Sequence, residues 1–306
     1  MQKKSSKLKF ALKNHTVLSN FRRHFFFKYS GDDVKDQNKL AKLILNYKFD
    51  CEHPRSFNEY LVWIKINYRD ELWMRCADKL GSKEFLIEKG FERYVPKTFQ
   101  IANSVNEIDF SSLPERFVIK TNNDSGSVFL LNKNNDNKEK LDKLQSSLHK
   151  DYSKNSLEWV YSKIEPKVFV EEVLEPAEGK DLIDYKFFVF NGKAQFGFSA
   201  HQRTFDTRFY PFDREYNELP FEYIYLKPKN KPKKPDNWNE LLELAEKVGS
   251  FFQFARVDLY NTTKGPKIGE ITFFSQSGMG PFVPKKMDFE MGKYFEDTIF
   301  NQLSKK

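Results

Sequence analysis

Near the C-terminus of this 306-residue chain, the stretch FARVDLYNTTKGPKIGEITFF brings together residue types that could handle a polyanion. Arg256 and Asp258 stand two residues apart, and so do Glu270 and Thr272. Side chains two apart on a strand share a face. A hairpin folded about Lys264 predicts Asp258 opposite Glu270, where facing Cβ atoms lie about 4.5–5.5 Å apart and like charges repel. Such a pair calls for a cation between its members or a raised pKa. Magnesium accepts one or two carboxylates and completes its octahedron with phosphate oxygens and water. Arg256 beside it would meet phosphate or developing negative charge. The same residues also fit an exposed face laced with an Arg–carboxylate pair, and a one-residue slip in register would send the two carboxylates to opposite faces.

Three other segments carry chemistry of the same kind. In FVIKTNNDSGSVFLL (117–131), Lys120 precedes a polar turn between two apolar runs. No GxxxxGK[ST] pattern is present, so this is not a P-loop. A strand lysine before a turn still suits a phosphate, and it equally suits a solvent-facing position in an ordinary hairpin. VFVEEVLEP runs an apolar strand into Glu171 and Glu172. The backbone of such a segment can bond a base edge while a glutamate takes its amino group; an exposed strand end is the plain alternative. SQSGMGPF (275–282) is either a turn or a loop whose backbone N–H groups approach a ligand.

The elements that must position these residues are mixed. Residues 56–90 predict helices, opened by Ser56 three residues before Glu59, a capping-box spacing. A second helix around 76–89 is expected to stop at Gly90. Strands are predicted at 117–120, 127–131, 168–173, 185–190, 194–199, 253–260 and 267–273, and helices at 137–150 and 237–249. Asn191-Gly192 between two strand runs signals a two-residue hairpin, and KPKNKPKKP (227–235) reads as an exposed connector. Strands and helices with several antiparallel hairpins make the class α+β.

The 16% aromatic content, with 32 Phe, implies a substantial apolar interior. No run approaches the ~18 apolar residues of a membrane span, and the N-terminus has no apolar core of a secretory signal. Cys51 and Cys76 have no metal or CxxC spacing, which fits a reducing, cytoplasmic setting. The net charge of +8 is local: residues 1–31 hold eight basic residues and no acidic one, so the remainder is neutral. With FRRHFFFKY, residues 1–30 could rest on an anionic membrane face as a peripheral anchor or form a solvated tail before a core helix. No nucleic-acid-binding module accompanies the charge.

In order and spacing the pieces resemble the ATP-grasp superfamily. SFNEYLVWIK, YRDELW, ADKLGSKEF, LPERFVIK, EWVYSKIEPKVFVEE, DYKFFVFNGK, FARVDLYN and GEITFF are similar to its TupA-like branch, over roughly residues 50–285. That branch is associated with teichuronopeptide and other surface-polysaccharide biosynthesis. The resemblance implies two α+β subdomains enclosing a nucleotide cleft, with a helical N-terminal region. The corresponding division is a basic segment at 1–55, a helical part at 56–115, a subdomain with the phosphate loop at 116–170 and one with the metal and acceptor site at 171–306.

It also implies residue roles. Lys79 and Lys120 would contact phosphates of ATP, under a 122–127 loop that includes Asn123, Ser125, Gly126 and Ser127. Glu171 and Glu172, with the backbone of Val173 and Leu174, would hold adenine. Asp184 would take the ribose, and Lys186 would face the same site. Arg256 would stabilise the transferred phosphoryl group, and Asp258, Glu270 and Thr272 would hold Mg2+. His201, Arg203 and Arg208 would bind a sugar carboxylate, for which Arg is the better fork, or form a surface loop. Ser275, Ser277 and Gly278 would shape the acceptor loop.

This chain departs from the branch in three places. NNDSGS replaces a loop close to NHGSGG, so that Asp124 would bring negative charge toward phosphate. Thr272 stands where many ATP-grasp enzymes have Asn, and SQSGMG lacks a proline common in the branch. The implied activity is an ATP-dependent carboxylate–amine ligase acting on a uronic acid of a surface glycan and an amine. The alternatives are a sugar kinase on the same nucleotide site and a non-catalytic glycan- or membrane-binding module.

Overall fold

The computed structural model describes residues 28–124, 126–150, 153, 157–179, 181–202 and 206–305. The protein is α+β, and the chain divides into two compact units interleaved in sequence. One comprises Met1–Arg69, Ile183–Leu259 and Thr272–Lys306; the other comprises Asp70–Leu182 and Tyr260–Ile271.

The second unit is built on an antiparallel four-stranded sheet of order β1-β4-β2-β3, with β1 Thr98–Ala102, β2 Arg116–Thr121, β3 Val128–Asn132 and β4 Val168–Glu171. The strand period of two sorts its faces. Phe117, Ile119, Leu131, Val168 and Val170 pack on Leu144 and Leu148 of the helix Lys138–Leu148. The opposite face presents Val118, Lys120, Phe169 and Glu171, so charge enters the sheet on the side away from that core.

Two short helices precede the sheet. The run expected as one helix around 76–89 is broken at Asp78, whose extended backbone (φ −69°, ψ 123°) ends one helix, Glu71–Ala77, and caps the next, Lys79–Glu88. The Asp78 carboxylate accepts from the Leu80 N–H at 2.9 Å, the N-cap bond that short acidic side chains favour. This second helix is termed αK below. It begins on Lys79, and the chain leaves it through Gly90 at φ +83°.

In the first unit, β5 (Asp184–Phe190), β6 (Lys193–His201) and β7 (Arg208–Asp213) form an antiparallel meander; with β8 (Phe254–Thr262) and β9 (Gly265–Thr272), whose residues 260–271 are counted with the second unit, the strand order is β9-β8-β5-β6-β7. Asn191 and Gly192 link β5 to β6 with φ +47° and +76°, the positive pair a type I′ hairpin requires. The helix Trp238–Gly249 lies on this sheet, and a Cβ at Gly249 would come within 2.4 Å of a Val189 methyl. The phenylalanine richness is spent largely on this core: the fully buried Phe57 ring lies 5.1–6.0 Å from those of Phe188, Phe196, Phe254, Phe282 and Phe295.

Phe57 opens the helix Phe57–Asn67, and the capping box read from sequence is present in full. Ser56 accepts from the Glu59 N–H at 3.2 Å, and Glu59 accepts from the Ser56 N–H at 2.9 Å. Among the described residues no helix is long and apolar enough to cross a membrane. The basic segment up to residue 27, with Ser125 and Arg203, lies outside the described residues.

Candidate functional site

Two clusters of buried charge stand out, one in each unit. In the second unit Lys79, Lys83, Lys120 and Glu270 line a pocket with Cys76, Val95 and Ile268. Lys79 and Lys83 are four residues apart on αK and therefore share a helix face. Lys120 comes from β2. Burial pushes the Lys79 ammonium below its ordinary pKa; Glu270 counters this and Lys120 adds to it. Lys83 is likewise lowered by burial, with Glu171 opposing.

Glu171 sits at the end of β4, 3% exposed, with one carboxylate oxygen paired to Lys83 and the other to Lys120. The neighbouring Glu172 turns elsewhere, accepting from the Lys97 N–H at 2.9 Å and pairing with Lys264 at 3.3 Å. Of the two acids read from VFVEEV, only Glu171 joins the lysines.

The 122–127 loop is tied to αK at its start. Asn122 Nδ2 donates to Asp78 at 2.9 Å and to the Glu165 carbonyl at 3.0 Å, and its Oδ1 accepts from the Lys167 N–H at 2.7 Å. Lys79 Nζ donates to the Asp124 backbone carbonyl. The Asp124 carboxylate itself does not reach toward an anion. It is buried, accepting from Thr121 Oγ1 at 2.6 Å and from Ser127 Oγ, so that it closes the turn from inside. The charge that the sequence brings toward phosphate is thus bonded within its own turn. The physical reason is that a short acid in a turn finds hydroxyl donors within three residues. Asn123 is also buried, and its Oδ1 has no hydrogen-bond partner among the described residues.

The first unit holds a network balanced in charge. Arg256 grips Asp258 with two bonds of 2.7 Å, from Nε and from one terminal nitrogen. The same guanidinium donates to Thr272 Oγ1 at 2.9 Å and to Ser275 Oγ at 3.1 Å. Lys186 bridges Asp258 to Asp184, the latter at 2.6 Å. Burial alone would raise the Asp258 carboxyl; Arg256 and Lys186 more than offset that and hold it below the usual value. Asp184 and Lys186 therefore belong with Asp258, two residues apart on one face of β5.

Among the described residues no group of three or more His, Cys, Asp or Glu is placed to hold a metal. Asp258 and Thr272 offer hard oxygens, the donor type magnesium takes, and a cation there would displace their bonds from Arg256 and Lys186.

The SQSGMG segment is a packed element. Gln276, Ser277 and Gly278 follow one another at positive φ. A Cβ at Gly278 would meet a Val62 methyl at 2.9 Å, so tight packing on the Phe57–Asn67 helix excludes a side chain there. That helix holds the segment from one face. Lys65 Nζ donates to Ser277 O and Oγ, both at 2.9 Å, and Asn58 bonds Gly280 O at 2.8 Å and Gly280 N at 3.1 Å. Asn58 also donates to Asp288 at 2.8 Å. On β6 and β7, His201 and Arg208 are register partners. His201 bonds Ser199 Oγ at 2.8 Å and Arg208 pairs with Asp206.

Sequence reasoning missed Lys83, Asn122, Lys65 and Asn58. The i, i+4 spacing of Lys79 and Lys83 was a usable signal. The other three act through backbone groups distant in sequence, which no local pattern reveals.

A family model described as TupA-like ATPgrasp matches residues 59–296. No curated protein matches the chain. Similar solved structures include a D-alanine–D-alanine ligase from Bacillus anthracis complexed with ATP, at 18% identity over 75% of this chain and 67% of that one (TM-score 0.43). A RimK domain protein ATP-grasp from Sphaerobacter thermophilus DSM 20745 is 12% identical over 86% and 76% of the two chains (TM-score 0.39). The ATP-grasp ligase PsnB, complexed with minimal precursor, Mg and ADP, is 11% identical over 71% and 57% (TM-score 0.39).

Proposed function

The chain belongs to the TupA-like ATP-grasp family, and from that premise we infer that it is an ATP-dependent, ADP-forming carboxylate–amine ligase. Its carboxylate substrate would be a uronic acid of a surface polysaccharide or precursor, and its amine an amino acid or amino alcohol. The observation that carries the reading is the pocket in which the ammonium groups of Lys79, Lys83 and Lys120 gather within the family-matched span.

In this reading Lys79 and Lys120 hold the phosphates, and the 122–127 loop covers them. Lys79 exchanges its bond to the Asp124 carbonyl for a phosphate oxygen. The substrate carboxylate attacks the γ-phosphorus, breaking the bond to ADP and forming an acylphosphate. The amine then adds to the acyl carbon, and phosphate leaves as the amide forms. Arg256 neutralises charge on the transferred phosphoryl group. Positioning and charge neutralisation provide most of the catalysis in phosphoryl transfer, and the protein needs no covalent nucleophile of its own. Asp258, Glu270 and Thr272 would hold magnesium, which when bound adds charge neutralisation at the phosphates. Glu171 would accept from the adenine amine, Asp184 would meet the ribose, and His201 and Arg208 would receive the acceptor's carboxylate. The basic residues of 1–30 would keep the enzyme at an anionic membrane face on the cytoplasmic side, and removing them should abolish co-sedimentation with anionic vesicles.

The test is to incubate the protein with magnesium-ATP and panels of uronic-acid glycosides and amines, following ADP and product mass. Amine-dependent ADP release with a product of amide mass is expected. Phosphorylated sugar formed without amine would overturn the ligase in favour of a sugar kinase. Absence of ATP binding would overturn the nucleotide site as a whole.

A further inference from the structure

Lys83 lines the pocket one helical turn after Lys79, and the reading above gives it no task. Its bonding separates it from the other lysines. An ammonium carries three N–H donors. Lys83 Nζ donates to the Pro96 carbonyl at 2.7 Å and to Thr98 Oγ1 at 2.9 Å, and it pairs with Glu171. Two N–H groups are thus taken up by fixed oxygens, and the ammonium lies in ion-pair contact with Glu171, which turns it away from a phosphate. Among the described residues, the Lys120 ammonium is ion-paired with Glu171 and lies over the Phe169 ring, so N–H groups remain for an anion.

Glu171 is thereby held at both oxygens. Its register partner on β1 is Thr98, the same residue that orients Lys83, and its partner on β2 is Val118. Two residues back on the same face, the Phe169 ring lies 5.7 Å from Lys83 Nζ and 5.2 Å from Lys120 Nζ. The clamp therefore has an aromatic floor, two cationic sides and a strand paired on both sides that fixes its height.

A carboxylate so fixed can only accept. A purine with an exocyclic amine at position 6 can donate to it, whereas one with a carbonyl there presents a second acceptor. Buried polar groups left unpaired are what give a site its discrimination between close analogues. We propose that Lys83 is a positioning residue that clamps Glu171 as a fixed acceptor and so makes the site select ATP over GTP. The proposal rests on the nucleotide-site reading and adds to it the side chain that sets base preference.

The experiment measures binding of ATP, GTP and adenosine by calorimetry to the wild-type protein and to Lys83→Met, Lys83→Arg and Thr98→Val, with circular dichroism confirming the fold. The wild type should prefer ATP. Lys83→Met should reduce the ATP-to-GTP preference about tenfold, the scale of one charge-assisted hydrogen bond, and should weaken adenosine as much as ATP. Lys83→Arg should restore most of the preference, and Thr98→Val should reduce it about threefold. Equal weakening of ATP and GTP, with adenosine unaffected, would show Lys83 acting on phosphate and overturn the proposal. A wild type that prefers ATP and a Lys83→Met protein with the same preference would overturn the proposal while leaving the nucleotide site standing. A wild type that binds neither nucleotide would overturn both. If Lys83→Met does not fold, an unchanged preference in Thr98→Val overturns the proposal.

Discussion

The two charged clusters are opposites in their bookkeeping. In the second unit Lys79, Lys83 and Lys120 stand against Glu171 and Glu270, and two of the lysines use backbone carbonyls as partners. In the first unit Arg256 and Lys186 stand against Asp258 and Asp184, each cation matched by a carboxylate. An excess of ammonium groups resting on neutral carbonyls is receptive to an anion, because a carbonyl partner is readily exchanged for a phosphate oxygen. A charge-balanced network is a scaffold: an added cation must compete for the oxygens that Arg256 and Lys186 already hold. The difference teaches which cluster is open to an anion as it stands and which must first give up internal pairs.

The sharpest way to break that contrast is Asp258→Asn. Its loss should lower ADP release by about three orders of magnitude, the scale of removing a group that organises transition-state charge. It should also destabilise the fold by ~3 kcal/mol, since Arg256 and Lys186 would be left buried without their counter-charge; urea unfolding reads that. A stable, active variant would refute the scaffold assignment.

A pH series comes next. Burial raises the Asp288 carboxyl to about 6 from the ordinary 3.8, against the opposing bonds from Tyr47 and Asn58. A raised pKa means that the native state holds the proton more tightly than the unfolded chain. The stabilisation is therefore complete below about pH 4 and is lost as pH rises through 6, amounting to roughly 3 kcal/mol at most. Asp288→Asn should abolish that dependence, and urea midpoints at pH 4.5 and 7 would show whether it does.

Lys120→Met should then weaken ATP about thirtyfold by calorimetry with no loss of melting temperature, since it removes one of an excess of like charges. A fall in stability comparable to that of Asp258→Asn would erase the distinction between the clusters. The smallest effect belongs to Asp124→Ala. Losing the acceptor for Thr121 and Ser127 should cost about 1 kcal/mol in urea unfolding and raise the ATP KM severalfold; an improved ATP affinity would instead mean that its charge does oppose phosphate.

How much of this was legible depended on range. The Ser56–Glu59 capping box and the Asn191-Gly192 turn were readable because both partners sit within a few residues. The shared face of Arg256 and Asp258 followed from the period of a strand, and the two are bonded. The break at Asp78 was not read, although an acid able to cap Leu80 stood in plain view. The helical pattern on either side outweighed it. Asp124 was weighed by its charge alone, without the two hydroxyls that bond its carboxylate.

By itself the sequence determined the α+β class, the local caps and turns, the confinement of net charge to the N-terminal segment, and which residue types were present to meet a nucleotide. Those properties follow from periodicity, short-range hydrogen bonding and composition. Only the tertiary structure decided which charges neutralise one another. Lys83 and Glu171 are 88 positions apart, and Lys186 and Asp258 are 72 apart. Lys186 meets Asp258 through strand order, and Lys83 reaches Glu171 from αK beside Thr98, the register partner of Glu171. Partnership in a buried site is a property of topology, and no window along the chain contains it.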